Sequence, residues 1–488
     1  MTKRQSGPGT SLVAERPRRP RRRLLRRVLL VASVTGTAAV GGALVLLPKD
    51  PPHRAGLPAP GPKARAHAQA PAAVTAGVPA ALPDLTRLIG DRENQVRAHP
   101  RDARAWAVLG TAYLERGRLT ADTADYPRAE RALRESLDAK GDKNVEALEG
   151  LAALANARRD FAVARNWGEQ ARKLAPKRWS AYAVLIDAYT GLGDYKASRS
   201  TLDKLLALHT GAAARPAVMV RASAVYRDRG WREDAAAQLA DAAAAARTPA
   251  EQADYLARAG QLAWERGDRE EALRHFEAAG RLAPGLRAAA AGRGRVLAAL
   301  GRTSEALAAY RTALAARPDP RYALELGELY ESLGREEEAR AQYDLLRDRA
   351  AQDEADGVDE DLLLGRFEAD HGDREEAVER LRDEWETQPG IEVADALGWA
   401  LHRVGEDEEA LEFARIATDK DKGGGVRSAV YSFHLGMIER ELDLSGPARR
   451  HLQEALRINP YFSPLGVPSA QSALARLGEP PDEEPPES

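Results

Sequence analysis

The 488-residue chain has no cysteine and little aromatic side chain, 5% in all. The missing cysteine excludes disulfides, thiolate zinc sites, iron–sulfur clusters, a cysteine nucleophile and a lipidated N-terminal cysteine. It leaves an extracytoplasmic location open, because a long chain builds its core without disulfide staples. Runs of β-branched and aromatic residues, which strands need, are scarce. Alanine, arginine, leucine and glutamate are plentiful, and these are good helix formers. An all-α protein is expected.

Signatures of chemistry are missing too. There is no zinc-protease helix motif, no Walker-type phosphate loop and no serine nucleophile elbow. Nine histidines are scattered, none beside a second ligand at metal spacing. No catalytic residue, cofactor or metal is expected, and so no enzyme activity.

The net charge of −2 hides an asymmetry. Residues 1–70 hold 14 Lys or Arg against Glu15 and Asp50, whereas the rest holds 58 against 72 acids. An acidic body argues against nucleic-acid binding by that body.

The basic head has its own logic. Eight arginines lie between Arg16 and Arg27, in a basic tail spanning residues 1–27. Residues 28–47 then run 20 positions without a charge. At 1.5 Å per helical residue this covers about 30 Å of bilayer hydrocarbon. The positive-inside rule keeps the arginines in the cytoplasm and places the remainder outside. A single-pass signal-anchor is the leading expectation. A cleaved signal peptide is the alternative, with small-x-small sites at Ala64-Arg65-Ala66 and Ala66-His67-Ala68 well beyond the apolar run. A buried soluble helix behind a basic tail is the third. Nine prolines fall between Pro48 and Pro83. Proline fixes φ and lacks a donor, so residues 48–84 are expected to be a disordered tether.

From residue 85 to 478 the chain repeats itself. GDREEALRHF at Gly267 recurs as GRTSEALAAY at Gly301, GREEEARAQY at Gly334, GDREEAVERL at Gly372 and GEDEEALEFA at Gly405. The alanine five residues after the glycine marks ten units, from Ala129 to Ala448, with Ser198 in one slot. Successive marks are 33 to 38 residues apart. A small residue stands twelve earlier in most units, for example Gly260, Gly294, Gly327, Gly365, Gly398 and Gly436. A bulky residue often follows the alanine by four, as at Phe276, Tyr310 and Tyr343. Two helices per unit account for this pattern. The mid-unit glycine ends the first with φ > 0. The small residues let the pair approach closely, and the bulky one fills the space between hairpins. Acid runs such as Glu336–Glu338 and Asp407–Glu409 begin second helices, where the helix dipole favours them. A lone hairpin leaves an apolar face bare, so the units must stack.

These residues resemble the tetratricopeptide repeat family over about 390 of the 488 residues. Trp106, Leu109, Gly110 and Tyr113 match its first-helix pattern closely. The resemblance implies a right-handed superhelical solenoid of antiparallel helix pairs, preceded here by one transmembrane helix. The longer spacings predict extra loop near residues 209–216, 353–361 and 419–425, where the array is expected to bend or break. A short helix near Ser469–Leu477 is expected to cap the stack, followed by a disordered acidic tail at residues 479–488.

Members of the family bind partners along the concave face, lined by first helices. In this register that face includes Gln261, Trp264, Arg295, Glu328, Arg366, Asp395, Trp399, Phe433, Met437 and Arg440. Trp399, Phe433 and Met437 are larger than a surface needs, and either hold a partner or pack on a neighbouring helix. The lysines and asparagines with which chaperone-binding members hold a terminal carboxylate are replaced by Ala107, Thr111, Ala183 and Asp187. The expected function is a non-catalytic scaffold for a protein or peptide partner, anchored to a bacterial cytoplasmic membrane and facing outward. The alternative is a secreted accessory that presents a substrate or polymer to an envelope enzyme.

Overall fold

The computed structural model describes residues 70–478, apart from residues 72, 76, 142, 209, 316 and 420–424. The expected basic tail, the apolar span at residues 28–47, the tether up to residue 69 and the acidic tail lie outside the described residues. So do most of the expected loop at 419–425 and His209. The described residues belong to one contact unit, residues 60–488. Among them there is no strand, and no helix is long and apolar enough to cross a membrane.

An entry helix, α1 (Leu82–Ala98), leads into ten hairpins. Their first helices are α2 (Ala103–Thr120), α4 (Val145–Ala157), α6 (Trp179–Gly191), α8 (Arg215–Asp228), α10 (Pro249–Glu265), α12 (Arg287–Ala299), α14 (Pro320–Ser332), α16 (Asp361–His371), α18 (Ile391–Val404) and α20 (Ala429–Glu441). Their second helices are α3 (Asp125–Lys140), α5 (Phe161–Leu174), α7 (Tyr195–Ala207), α9 (Arg232–Ala245), α11 (Arg269–Leu282), α13 (Thr303–Leu314), α15 (Glu336–Ala355), α17 (Arg374–Thr387), α19 (Asp407–Thr418) and α21 (Ser445–Ile458). A closing helix, α22 (Gly466–Leu477), covers the last hairpin, with Ala470 and Ala473 buried in its core.

Local chemistry sets these boundaries. Asp102, Asp160, Asp194 and Asp373 cap helix N-termini by accepting backbone N–H bonds, which satisfies donors a helix start leaves free. Acids fill the first turn of α11, α15, α17 and α19. The marker alanines are buried to within 3%. The close approach is steric: a Cβ on Gly110 would lie 2.6 Å from Leu133 Cγ, and one on Gly365 2.5 Å from Leu381 Cγ.

Three expectations change. The ordered array starts before residue 85: Ala70, Val74 and Val78 are buried, and Ala70 and Val74 join Leu85 and Leu88 in one apolar cluster. Apolar side chains spaced among the prolines give this part of the expected tether something to bury. Gly372 has φ −136° rather than a left-handed backbone, and its N–H bonds to the Glu368 carbonyl. The extra residues near 353 lengthen α15 to 20 residues instead of forming loop.

That last difference has a tertiary cause. The helical stack coils until its later repeats touch its earlier ones. The Thr123 hydroxyl lies 2.7 Å from an Asp353 carboxylate oxygen and 2.8 Å from one of Asp356. Asp359 N–H donates to the Arg158 carbonyl at 2.9 Å. Ile391 N–H donates to the Tyr195 hydroxyl at 3.0 Å. Asn459 Nδ2 donates to the Trp264 carbonyl at 2.8 Å. Turns inside the first, second, third and fifth repeats thus meet the end of the seventh and the segments that follow the seventh, eighth and tenth. The irregular spacing near 353–361 falls on this seam, and here the helices of the seventh and eighth repeats stand further apart than neighbouring repeats elsewhere, joined by Leu364 and Phe367 in the seventh repeat's apolar cluster.

Candidate binding lumen

Coiling gives the solenoid an inside, and the first helices line it. A cavity of about 280 Å³ is walled by α2, α4, α6 and α8, through Thr111, Glu115, Arg118, Glu149, Asn156, Asp187 and Arg221 among others. Val74, Thr75 and Gly77 close one side. Across the lumen, Asp254 and Arg258 of α10 act electrostatically on Glu115 of α2.

Arginines stitch neighbouring repeats together on this face. Arg221 pairs with Asp187 at 3.2 Å, and Arg227 with Glu265 at 2.7 Å. Arg295 pairs with Glu325 at 2.5 Å and donates to Gln261 at 2.7 Å. Guanidinium forks suit these bidentate contacts. The surroundings are dry enough to shift acids. Burial pushes the Glu149 carboxyl up to about 7 despite the nearby Arg178, and raises Glu115 and Glu328 as well. Asn156 Nδ2 donates to the Val184 carbonyl, which leaves its buried Oδ1 without a donor at the cavity wall. This wall sets acceptors and charges among apolar side chains such as Leu114, Val184 and Phe161. It can hold an extended polar chain by exchanging hydrogen bonds and ion pairs.

The residues singled out from sequence divide by burial. Trp264, Asp395, Trp399 and Phe433 are buried, at 6%, 3%, 9% and 5% exposure. Trp264 packs with Phe276 and Val296. Trp399 Nε1 donates to Asp370 at 3.1 Å, and its ring stacks on His434 with centroids 4.2 Å apart. His434 Nδ1 lies 3.0 Å from Asp395. Phe433 tilts against Trp399 and Phe462. These large side chains fill the joint between α18, α20 and the closing segment. Arg366, Met437 and Arg440 are half-buried. Arg366 donates to the Glu392 carbonyl at 3.3 Å, Met437 packs on the apolar core and Arg440 pairs with Glu441.

The sequence reading did not find Glu115, Glu149, Asn156 or Arg221 as wall residues. One turn beyond Thr111 in α2 reaches Glu115, but Glu149 and Asn156 of α4 and Arg221 of α8 lie in first helices where the sequence reading places no lumen residue. His434 escaped notice because its partners Asp395 and Trp399 lie in the preceding repeat.

A tetratricopeptide repeat model matches residues 67–122, 257–319 and 291–354. Those stretches are tetratricopeptide repeats. Trp106, Leu109, Gly110 and Tyr113 lie within the first of them. No curated protein sequence matches the chain. Among solved structures, a human IFIT1 dimer with PPP-AAAA matches at 16% identity, over 64% of this chain and 72% of that one, with a TM-score of 0.44. The APC/C hetero-tetramer Cut9–Hcn1 matches at 17% identity over 85% and 84%, with a TM-score of 0.37. The Pseudomonas aeruginosa pilF matches at 19% over 42% and 90%, with a TM-score of 0.34.

Proposed function

We propose that this chain is a non-catalytic tetratricopeptide scaffold that holds a protein or peptide partner in its lumen, on the outer side of the cytoplasmic membrane. The observation that carries the binding role is the lumen wall. It is built from consecutive first helices, with a 280 Å³ cavity and a buried acceptor, Asn156 Oδ1, that lacks a donor. Tetratricopeptide proteins generally bind protein partners, and the wall's mixed charge suits a polar extended segment. Membrane anchoring rests on the uncharged run at residues 28–47 behind eight arginines.

Crosslinking the full chain in its native membranes and sequencing what it captures tests the binding role. A partner crosslinked to α2, α4, α6 or α8 supports it, and crosslinks confined to the outer second helices refute it. Fractionation tests the anchor: the intact chain belongs with membranes, and recovery in the soluble cytoplasm would end that reading. The small-x-small sites between residues 64 and 68 favour a second reading, a secreted accessory presenting a polymer. A mature N-terminus within that stretch, with carbohydrate captured instead of protein, would establish it.

A further inference from the structure

Three carboxylates meet where the eighth repeat begins. Asp361 opens α16, Asp359 stands two residues before it, and Glu384 lies in the last turn of α17. One oxygen of each lies within 4.8 Å of the others. Like charges this close repel unless something positive stands among them. Arg380 reaches Asp361 at 2.7 Å from one side, and Arg159 acts on Glu384. Glu384 is 2% exposed. Its hydrogen-bond donor among the described residues is the Gln388 amide, 3.2 Å from each of its oxygens.

Gln388 supplies the second observation. It is 6% exposed, and its Nε2 also donates to Asp359 Oδ2 at 2.7 Å. Its Oε1 is buried with no donor. Turning the amide over does not help. With nitrogen toward the carboxylates the oxygen is orphaned, and with oxygen toward them acceptors face acceptors. A buried orphan of this kind is destabilising. A cation among the four groups would supply the missing positive charge and let the amide turn its oxygen inward as a ligand.

The ligand set indicates which cation. All donors are carboxylate or amide oxygens, which select hard ions over thiophilic ones. Three carboxylates and an amide carbonyl make an all-protein oxygen set of the kind calcium takes, whereas magnesium keeps much of its water and is usually held by one or two carboxylates. The site also adjoins the seam, since Asp359 N–H donates to the Arg158 carbonyl.

We propose that Asp359, Asp361 and Glu384, completed by the Gln388 carbonyl oxygen, bind one calcium ion that fastens the turn of the second repeat to the start of the eighth. Histidine spacings and motifs do not reveal such a site, because its acids come from two helices and the turn before the first, and its neutral ligand from the turn after the second. The test uses the full chain stripped with chelator, titrated with calcium chloride by calorimetry and melted with and without calcium. One site per chain and a saturable rise in Tm are expected. The Asp359→Asn/Glu384→Gln double variant keeps its helical circular dichroism, melts without calcium no lower than the parent, and loses the calcium heat and the Tm rise. No heat or Tm change up to about 10 mM calcium, ten times the weakest usual calcium modules, overturns the proposal. So does calcium binding undiminished in the double variant, or a response to magnesium alone.

Discussion

The side-chain amide of Asn459 hydrogen-bonds the carbonyl of Trp264 across 195 residues of sequence, with Asn459 only 2% exposed. Next to it, the Arg269 guanidinium lies 3.8 Å above the Tyr461 ring. These contacts join the fifth repeat to the segment after the tenth, so the last repeats are held from two sides: by their chain neighbours and by the coil beneath. Simple stacked solenoids have nearest-neighbour contacts alone. Here the seam makes distant repeats interdependent and encloses the lumen.

Two turn glycines separate the seam from the turn conformation. Gly193 (φ +69°) and Gly301 (φ +73°) share a left-handed backbone. A Cβ on Gly193 would lie 2.2 Å from the Pro389 carbonyl oxygen, whereas one on Gly301 meets nothing within 4 Å. Gly301→Ala should cost about 1–2 kcal/mol from backbone strain. Gly193→Ala should cost more in urea denaturation and enlarge the radius of gyration in small-angle scattering, because the seam must part. Equal effects from the two would count against a seam that contributes to stability.

Close helix approach makes a paired prediction. A Cβ on Gly292 would sit 2.3 Å from Phe276 Cζ. Gly292→Ala should destabilise by about 1–3 kcal/mol through overpacking. Adding Phe276→Leu should recover part of that loss, although Phe276→Leu alone destabilises. A double-mutant cycle of chemical melts reads this coupling, and strict additivity would show that the ring is not what the small residue accommodates.

Burial of Trp399 and Phe433 sets a stability test apart from a binding test. Each alanine replacement should cost about 3–5 kcal/mol, with less than additive loss because the rings touch. Arg366→Glu, on a half-buried first-helix residue outside the cavity, should leave the melting temperature within a few degrees and weaken partner capture if the partner runs on along the first helices. Capture lost in the aromatic variants while their melts stay unchanged would instead make those rings a partner contact.

Glu149 gives the array a pH signature. Its folded pKa is about 7, raised by burial above the ordinary 4.5, with Arg178, Ser180 and Glu146 around it. Between those values the folded state holds a proton that the unfolded state has released. Its contribution is therefore full below about 4.5 and is lost as pH rises through 7. The expected loss is about 3 kcal/mol at most. Glu149→Gln should flatten the decline in thermal stability between pH 5 and 7 relative to the parent, as differential scanning calorimetry would show. A parallel decline in both proteins would rule out Glu149 as its source.

The hairpin was legible in the sequence because its causes are local. Asp194 before α7, the small residue at Gly327 facing Tyr343, and the acids opening α15 each act within one repeat. Periodicity therefore reveals helix, turn and pairing. What periodicity could not reveal is how far the stack rotates from one repeat to the next. Small rotations accumulate over ten hairpins, and their sum decides whether Gly193 meets Pro389 or solvent. The same sum brings Arg258 opposite Glu115 and Asp359 beneath Arg158. Local order was written in the residue pattern, whereas the seam, the lumen and the acid cluster beside it were decided by the coil, where contacts join residues about 200 positions apart.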